Sequence, residues 1–271
     1  MTKQEEVLVL EKPANGRIWV MRLNRPERLN SFNGELRKAL YEAFWDFAHD
    51  DEAWVAILTG TGRAFCTGQD LKERTERNAA ALAGEPDPMV QLPDYLQDIY
   101  PLSEKLNCWK PIIAAVNGLA VAGGFNAAMQ CDVRIASTEA EFGIAEVRWN
   151  QGAAWVHHLP KIIGLANALE LTRWGDKRIS AERAKEWGFV NEVVAPEDLM
   201  PTAMDWAERM LTLAPRSVRN LKEILYRGMT MGPAEAQRYG ANLERNLIGM
   251  EDSIEGPKAF SEKRKPEFKN R

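Results

Sequence analysis

The chain has 271 residues, of which 45% are hydrophobic and 27% are charged, and its formal net charge is −4 at pH 7. This length and composition predict an ordinary globular protein with a sizeable core, in one large domain or two small ones. The mildly acidic balance gives no general footprint for nucleic acid or for a membrane surface. No apolar run reaches the roughly 18 residues that a membrane-spanning helix needs.

The N-terminal segment and the cysteines indicate the compartment. The first residues, MTKQEEVLVLEK, lack the long apolar core of a secretory signal and are too acidic for a transit peptide. Cys66, Cys108 and Cys131 are odd in number and have no CxxC spacing, so they predict neither a disulfide framework nor a zinc site. We therefore expect a cytoplasmic protein.

The first part of the chain alternates short strands with helices. Apolar runs at residues 7–10 and 18–23 predict two strands around a Pro-Ala-Asn-Gly turn. Asn33 is the expected N-cap of a helix that runs to about residue 48, because apolar residues recur there at helical spacing. Residues 54–59 predict a buried strand.

A second glycine turn covers residues 65–72 and is followed by an irregular stretch. Residues 74–93 are polar at first, then rich in Ala, Gly and Pro, and they show no sustained period. We expect a mobile loop there, followed by a helix to about residue 107.

The pattern becomes helical after residue 152. A short strand is predicted at 190–194, and helices at 158–163, 166–174, 180–187, 199–213, 217–229, 234–248 and 253–262. Strands that alternate with helices before a helical end predict an α/β fold. We divide it into a core over residues 1–195 and a helical region over 196–271.

The most informative stretch is residues 110–152, KPIIAAVNGLAVAGGFNAAMQCDVRIASTEAEFGIAEVRWNQG. It predicts a strand, a glycine-rich turn and a helix start, an arrangement that leaves backbone N–H groups free to meet a ligand. Gly123 and Gly124 lack a Cβ, so a substrate oxygen can approach closely, and Glu146 is a single acid among small and apolar neighbours. The pattern suggests oxyanion stabilisation with proton transfer. A tight turn with a solvated glutamate fits these residues as well.

This stretch resembles the central motif of the crotonase superfamily, the enoyl-CoA hydratases and isomerases. Three further blocks agree in order: LNRPERLNSFN near the start, AFCTGQDLKE in the first third and GPKAFSEKRKPEFK at the end. The resemblance covers nearly the whole chain. It implies a spiral of ββα units, with C-terminal helices that pack into a homotrimer or a dimer of trimers. The residues themselves show no internal repeat.

The resemblance also implies the site. Two backbone N–H groups, on Gln69 and Gly123, match the donors that stabilise a thioester enolate, and each is worth on the order of 3 kcal/mol. Ala122 stands where the family more often has glycine, which tightens the steric limits of the turn but keeps the donor at Gly123.

The acid/base pair of the family is only half present. The hydratases of the family resemble one another in having two glutamates about twenty positions apart. In this chain the second position is Glu146, but the first is Asn126. An asparagine can hold a water molecule but cannot accept its proton. The pair therefore suits a single-base mechanism in which Glu146 is the catalytic acid and base and Asn126 orients water or substrate.

The resemblance further implies contacts to the acyl-CoA. Trp149 is a candidate wall for a bulky or aromatic acyl group, although a tryptophan is often only a packing residue. The CoA channel is matched by Arg28, Leu29, Asp70, Leu71 and Lys72, and the contacts to a neighbouring subunit's CoA by Phe260 and Lys263. The tail from residue 261 is basic, which fits a local anion site.

Several other chemistries have no support. The chain has three histidines, of which His157 and His158 are adjacent, so we expect no metal site and no histidine triad. No full G-x-G-x-x-G or P-loop is present, which argues against a nucleotide cofactor. We expect no separate cofactor, because coenzyme A is part of the substrate.

The first candidate function is therefore an acyl-CoA lyase, an enoyl-CoA hydratase or hydratase-lyase that belongs to fatty acid metabolism. The second is a Δ3,Δ2-enoyl-CoA isomerase, and a hydrolase or decarboxylase acting on a bulky or aromatic acyl-CoA is a third. From other classes, a non-catalytic CoA-ester binder and a nucleic-acid-binding relative stay open, the latter disfavoured by the net charge.

Overall fold

The computed structural model describes residues 6–86 and 100–271, and its strands form two sheets. The larger sheet has six strands in the order β1-β2-β3-β5-β7-β10, and the smaller has four in the order β4-β6-β8-β9. The strands are β1 (Leu8–Glu11), β2 (Ile18–Leu23), β3 (Val55–Gly60), β4 (Ala64–Cys66), β5 (Ile112–Val116), β6 (Leu119–Val121), β7 (Val133–Ser137), β8 (Glu141–Gly143), β9 (Ile179–Ser180) and β10 (Glu192–Val194). Only the β1–β2 and β8–β9 pairs are antiparallel within these sheets.

Successive units of the chain repeat one path. A long strand enters the large sheet, a short strand enters the small sheet, and a helix then leads back to the large sheet. This happens with β3 and β4, with β5 and β6, and again with β7 and β8. The α/β class and the spiral of ββα units are therefore confirmed.

The large sheet is covered on both faces, which explains why its strands are apolar throughout. Every residue of β3 and β5 is buried. One face packs against the main core, which includes helix α1 (Gly34–His49). The other face packs against helix α8 (Leu199–Met210), whose Ala203 and Ala207 are buried on it. Strands buried on both faces read as continuous apolar runs rather than alternating ones.

The remaining helices also have clear bounds. They are α2 (Leu71–Leu82), α3 (Leu102–Lys105), α4 (Gly123–Gln130), α5 (Leu159–Ile163), α6 (Leu165–Arg173), α7 (Ala181–Glu186), α9 (Pro215–Gly228), α10 (Pro233–Arg245) and α11 (Glu251–Ser261). The predicted N-cap of α1 is confirmed, because the Asn33 side chain accepts a hydrogen bond from the Leu36 amide. Pro215 and Pro233 each occupy the first turn of a helix, where a proline costs nothing.

The predicted loop over residues 74–93 was wrong in its first part, because α2 occupies residues 71–82. Asp70 caps this helix by accepting a hydrogen bond from the Lys72 amide, and no residue of α2 is buried. A helix without a buried face has no apolar period, so hydrophobic spacing could not reveal it. Residues 87–93 of the predicted loop lie outside the described residues.

A buried ion pair ties the helical end of the chain to the large sheet. Lys222 of α9 lies 2.9 Å from a carboxylate oxygen of Asp132, which also accepts a hydrogen bond from the Ile112 amide. The Tyr226 hydroxyl donates to the other oxygen of Asp132 at 3.0 Å.

The predicted division of the chain after residue 195 stays a prediction.

None of the described helices is long and apolar enough to cross a membrane. Cys66, Cys108 and Cys131 are free thiols in the protein interior, and no group of potential metal ligands was found within residues 6–86 and 100–271.

Candidate active site

Two backbone segments come into direct contact at the end of the small sheet. The turn after β4 carries Gly68, whose φ of +87° lies in the left-handed region, and it packs against the start of α4. A Cβ placed on Gly68 would lie 2.9 Å from the Gly123 amide nitrogen, and one on Gly124 would lie 1.9 Å from the Cys66 carbonyl oxygen. Only glycines permit this approach.

The contact brings together the two amides that the sequence predicted as oxyanion donors. A Cβ on Gly123 would lie 3.8 Å from the Gln69 nitrogen. Neither amide donates to an acceptor among the described residues. The amides that precede them are both engaged, because Gly68 N–H donates to the Cys66 sulfur and Ala122 N–H to the Gly143 carbonyl. Two free donors beside one another provide the elements of an oxyanion hole.

Ala122 adopts a backbone conformation that suits glycine. Its φ of 55° and ψ of −124° lie in a region that residues with a Cβ rarely enter, at a cost on the order of 1–3 kcal/mol. This residue turns the chain from β6 into α4, and α4 begins directly after it at Gly123. The strain is therefore located at the residue that orients the second donor.

Glu146 reaches the same end of the small sheet from the neighbouring strand. Gly143 ends β8, pairs with Val121 of β6 and accepts the Ala122 hydrogen bond, and Glu146 follows three positions later. Its side chain is buried, with 5% exposure, and its Oε2 atom has no hydrogen-bond partner within the described chain. Desolvation by burial raises the pKa of Glu146 from 4.5 to about 6. A carboxyl group that titrates near neutrality suits proton transfer in both directions.

Asn126 lies one turn into α4 from Gly123 and is almost fully buried, with 1% exposure. Its Oδ1 atom accepts a hydrogen bond from Gln130 Nε2 at 3.1 Å. Helix α4 therefore carries the second candidate oxyanion donor, Gly123, and the predicted orienting amide, Asn126, three residues apart.

A cation that the sequence did not predict lies beside the first candidate oxyanion donor. Arg74 of α2 donates from Nη1 to the Gln69 side-chain oxygen at 2.7 Å. Burial and the nearby Arg77 both lower the pKa of Arg74. Arg74 forms no ion pair with a carboxylate in the part of the chain that the structure describes. The helical form of α2 creates this contact, so a prediction that treated the segment as a loop could not find it.

The predicted CoA-channel residues lie near the turn but differ in their environment. The Leu29 carbonyl accepts a hydrogen bond from the Thr67 amide. This bond holds the exposed Arg28 and the half-buried Leu29 against the segment that follows β4. Asp70 caps α2 and forms an ion pair with Arg25 at 3.2 Å. The Leu71 side chain and the Lys72 ammonium, which lies 4.0 Å from Glu76, are exposed.

The three other predicted contact residues are surface residues of the single chain. Trp149 is half exposed at the end of the short helical turn Glu146–Trp149, and the Arg148 guanidinium lies 5.3 Å from its ring centre. Phe260 is 86% exposed on α11, and Lys263 is exposed just beyond it. Their roles in binding stay predictions.

Replacing Glu146 by glutamine is expected to stabilise the fold in a pH-dependent way. A carboxyl pKa that is raised from 4.5 to about 6 by burial corresponds to a penalty of roughly 2 kcal/mol for the ionised folded protein. The sign follows because the folded state binds the proton more tightly than the unfolded state. The Glu146 carboxyl group therefore adds to the free energy of unfolding of the native protein below pH 4.5. This contribution is lost as the pH rises through about 6.

Urea denaturation of the native protein and of Glu146→Gln at pH 8 and pH 4.5 measures this effect. The variant should be more stable at pH 8, and the difference should disappear at pH 4.5. Glu139→Gln is the matched control, because Glu139 is an exposed residue of the turn before β8. An equal gain at both pH values would show that the carboxyl group does not carry the desolvation cost.

Comparisons with known proteins agree with this geometry. Residues 13–271 match the family model of the enoyl-CoA hydratases and isomerases. An (E)-benzylidenesuccinyl-CoA hydratase from Thauera aromatica is 38% identical over 250 residues, which cover 91% of this chain and 93% of that protein. A short-chain-enoyl-CoA hydratase from Clostridium acetobutylicum is 34% identical over 268 residues, 97% of this chain and 98% of the relative.

The fold comparison gives the same result. An enoyl-CoA hydratase structure from Bacillus anthracis superimposes with a TM-score of 0.86 and 31% identity, covering 98% of this chain and 100% of that one. The crotonase resemblance is thereby confirmed along nearly the whole chain. This chain belongs to the enoyl-CoA hydratase/isomerase family and is a hydratase-like enzyme of the crotonase superfamily.

Proposed function

We propose that the protein adds water across the double bond of a 2-enoyl-CoA, or removes it in the reverse direction, with Glu146 as its single general acid and base. The observation that carries this proposal is the buried Glu146 carboxyl group with its unpartnered oxygen and its raised pKa. Glu146 follows β8, the strand that pairs with β6, and β6 leads to Gly123. Relatives that are named hydratases support hydration over isomerisation.

The proposed reaction has two steps. The thioester oxygen accepts hydrogen bonds from the Gln69 and Gly123 amides while water attacks the β-carbon. Glu146 takes one proton from that water, and the electron pair of the double bond moves to the thioester as an enolate. Glu146 then returns the proton to the α-carbon, so that the carboxylate is regenerated. Donors aimed at the enolate oxygen stabilise the charge where it develops.

Asn126 holds the water in this scheme without taking its proton. A neutral amide beside Glu146 would not raise the pKa of the glutamate further, as a second carboxylate would. We propose that coenzyme A enters only as part of the substrate and that no other cofactor is needed. Arg28, Leu29 and the residues from Asp70 to Lys72 are proposed to line its channel.

The environment of Arg74 favours an acyl group that carries a carboxylate. Its guanidinium contacts the side chain of an oxyanion donor and has no carboxylate partner in the described residues. The relative from Thauera aromatica is named for benzylidenesuccinyl-CoA, a thioester whose succinyl unit leaves one carboxylate free and whose benzylidene group is aromatic. We propose that this enzyme accepts bulky 2-enoyl-CoA esters of that type, with Trp149 beside the acyl group.

We also propose a trimeric assembly, or a dimer of trimers. Leu221 and Leu225 of α9 and Met229, the C-cap residue directly after it, recur every four residues, and each is at least half exposed. A row of apolar side chains on one helix face is typical of a surface that another chain covers. The exposed Phe260 and Lys263 are proposed to reach the CoA of a neighbouring subunit.

Hydration is tested by incubating the enzyme with crotonyl-CoA and with a 3-enoyl-CoA in water labelled with oxygen-18. We expect label in a 3-hydroxyacyl-CoA, with a rate that rises with pH through about 6 as the Glu146 carboxylate forms. Glu146→Gln should lower this rate by roughly a hundredfold or more. Unlabelled conversion of the 3-enoyl to the 2-enoyl ester would instead identify an isomerase, and full activity of Glu146→Gln would contradict both readings.

The role of Arg74 is tested with two aromatic substrates, (E)-benzylidenesuccinyl-CoA and cinnamoyl-CoA, which lacks the free carboxylate. Arg74→Gln should raise KM for the first by about tenfold or more, because a hydrogen bond to a charged group is lost, and should leave the second nearly unchanged. Arg74→Lys serves as the charge-retaining control. An equal rise in KM for both substrates would show that Arg74 contacts the CoA part instead.

The assembly is tested by light scattering on the purified protein. We expect a mass of three or six chains, and a Leu221→Glu/Leu225→Glu variant should shift it toward smaller species because charged side chains would have to be buried in the contact. Glu208→Gln is a suitable control, since Glu208 is an exposed residue of α8. A monomeric native protein would exclude the trimer.

A further inference from the structure

The orientation of a buried amide in the site can be traced to a backbone amide that lies outside it. Helix α3 begins at Leu102, and the first amides of a helix have no partner within the helix. Leu102 N–H donates to the side-chain oxygen of Gln130, the last residue of α4, at 3.2 Å. A backbone N–H can only donate, so the polarity of this contact is fixed by chemistry.

The direction of this hydrogen bond determines the orientation of two side chains, Gln130 and Asn126. Because Gln130 Oε1 faces the Leu102 amide, Gln130 Nε2 must face the other way, and it donates to Asn126 Oδ1 at 3.1 Å. The opposite orientation of Asn126 would set two NH₂ groups against each other. Asn126 has only 1% exposure, so water does not readily replace the lost partner. Its Oδ1 therefore faces Gln130, and its Nδ2 is the group that we assign to the substrate water.

We infer that Gln130 is a positioning residue that makes Asn126 a hydrogen-bond donor in the active site. This inference rests on the hydration chemistry proposed above. The Leu102 amide fixes Gln130, Gln130 fixes Asn126, and the Asn126 NH₂ group donates to the oxygen of the reacting water. Gln130 touches neither substrate nor water in this scheme.

A donor at this position gives the water oxygen and the proton that it loses separate partners. The oxygen accepts one hydrogen bond from Asn126 and retains a lone pair for the β-carbon. One O–H bond points to Glu146, which takes the proton. If Asn126 presented its carbonyl oxygen instead, it would compete with Glu146 for the same O–H group. In the reverse direction, the donor stabilises the departing hydroxyl oxygen, which receives its proton from Glu146.

Two substitutions at Gln130 separate the positioning role from a role as a helix cap. Gln130→Glu keeps an acceptor for the Leu102 amide, and a carboxylate at a helix N-terminus is favourable. It has no hydrogen to give Asn126 when ionised, so Asn126 would turn its NH₂ group toward it and present its oxygen to the water. Gln130→Met removes the cap and the donor but leaves Asn126 free to turn either way.

The inference predicts an order of kcat at pH 8, measured by hydration of crotonyl-CoA. The native enzyme should be fastest, Gln130→Met slower, and Gln130→Glu slowest, at least about tenfold below the native value, with KM little changed. A tenfold loss of kcat is the size expected when one hydrogen bond to the reacting water is replaced by an unfavourable contact. If Gln130 only caps α3, Gln130→Met should be slower than Gln130→Glu, because the glutamate retains the cap and the methionine loses it.

Controls keep each outcome decisive. Ser180→Ala removes another helix cap, the one over the Arg183 amide, and should lower the melting temperature without changing kcat. If Gln130→Glu is too unstable to assay, a folded Gln130→Met with unchanged kcat overturns the inference, and one with reduced kcat supports it. If Asn126→Ala retains native kcat, the proposed role of Asn126 in hydration fails. If Asn126→Ala is slow and Gln130→Glu is as fast as Gln130→Met or faster, only the positioning role of Gln130 fails.

Discussion

The candidate active site depends on one close approach of two backbones. The turn at Gly68 lies against the start of α4, and a Cβ at Gly124 would lie 1.9 Å from the Cys66 carbonyl oxygen. No rearrangement of a flexible side chain could relieve that contact, because the opposing atom belongs to the backbone of β4. The contact holds the Gln69 and Gly123 amides together, and neither amide has an acceptor within residues 6–86 and 100–271. Their pairing is thus prepared before any substrate binds, which is what electrostatic stabilisation of an enolate requires.

In the proposed site, one acid and one neutral amide accompany this contact. Burial alone brings the pKa of Glu146 to about 6, so a second carboxylate is not needed to move it toward neutrality. Asn126 adds no charge to a buried site, and its hydrogen bond from Gln130 gives it a defined direction. A single-base hydratase can therefore keep a near-neutral acid without the repulsion that two buried carboxylates would create.

Most of the secondary structure could be predicted from local signals. The strand at residues 18–23 was predicted with the bounds that the structure has, and the strand predicted in the stretch from residue 110 is β5. Both are apolar runs, which are typical of strands buried on both faces. The cap at Asn33 was equally clear. Helix α2 was missed because it buries no face, and the short strands of the small sheet were missed because two or three residues carry no period.

The family, the fold class and the two amide positions of the candidate oxyanion hole could be predicted from the amino acids alone, because they depend on glycines and motifs in local order. How side chains from distant parts of the chain meet depends on the tertiary fold. The free state of the Gln69 and Gly123 amides, the burial of Glu146 and the direction of the Asn126 amide all arise from contacts between separate segments. Desolvation and hydrogen-bond polarity are properties of those contacts, and no local pattern of residues encodes them.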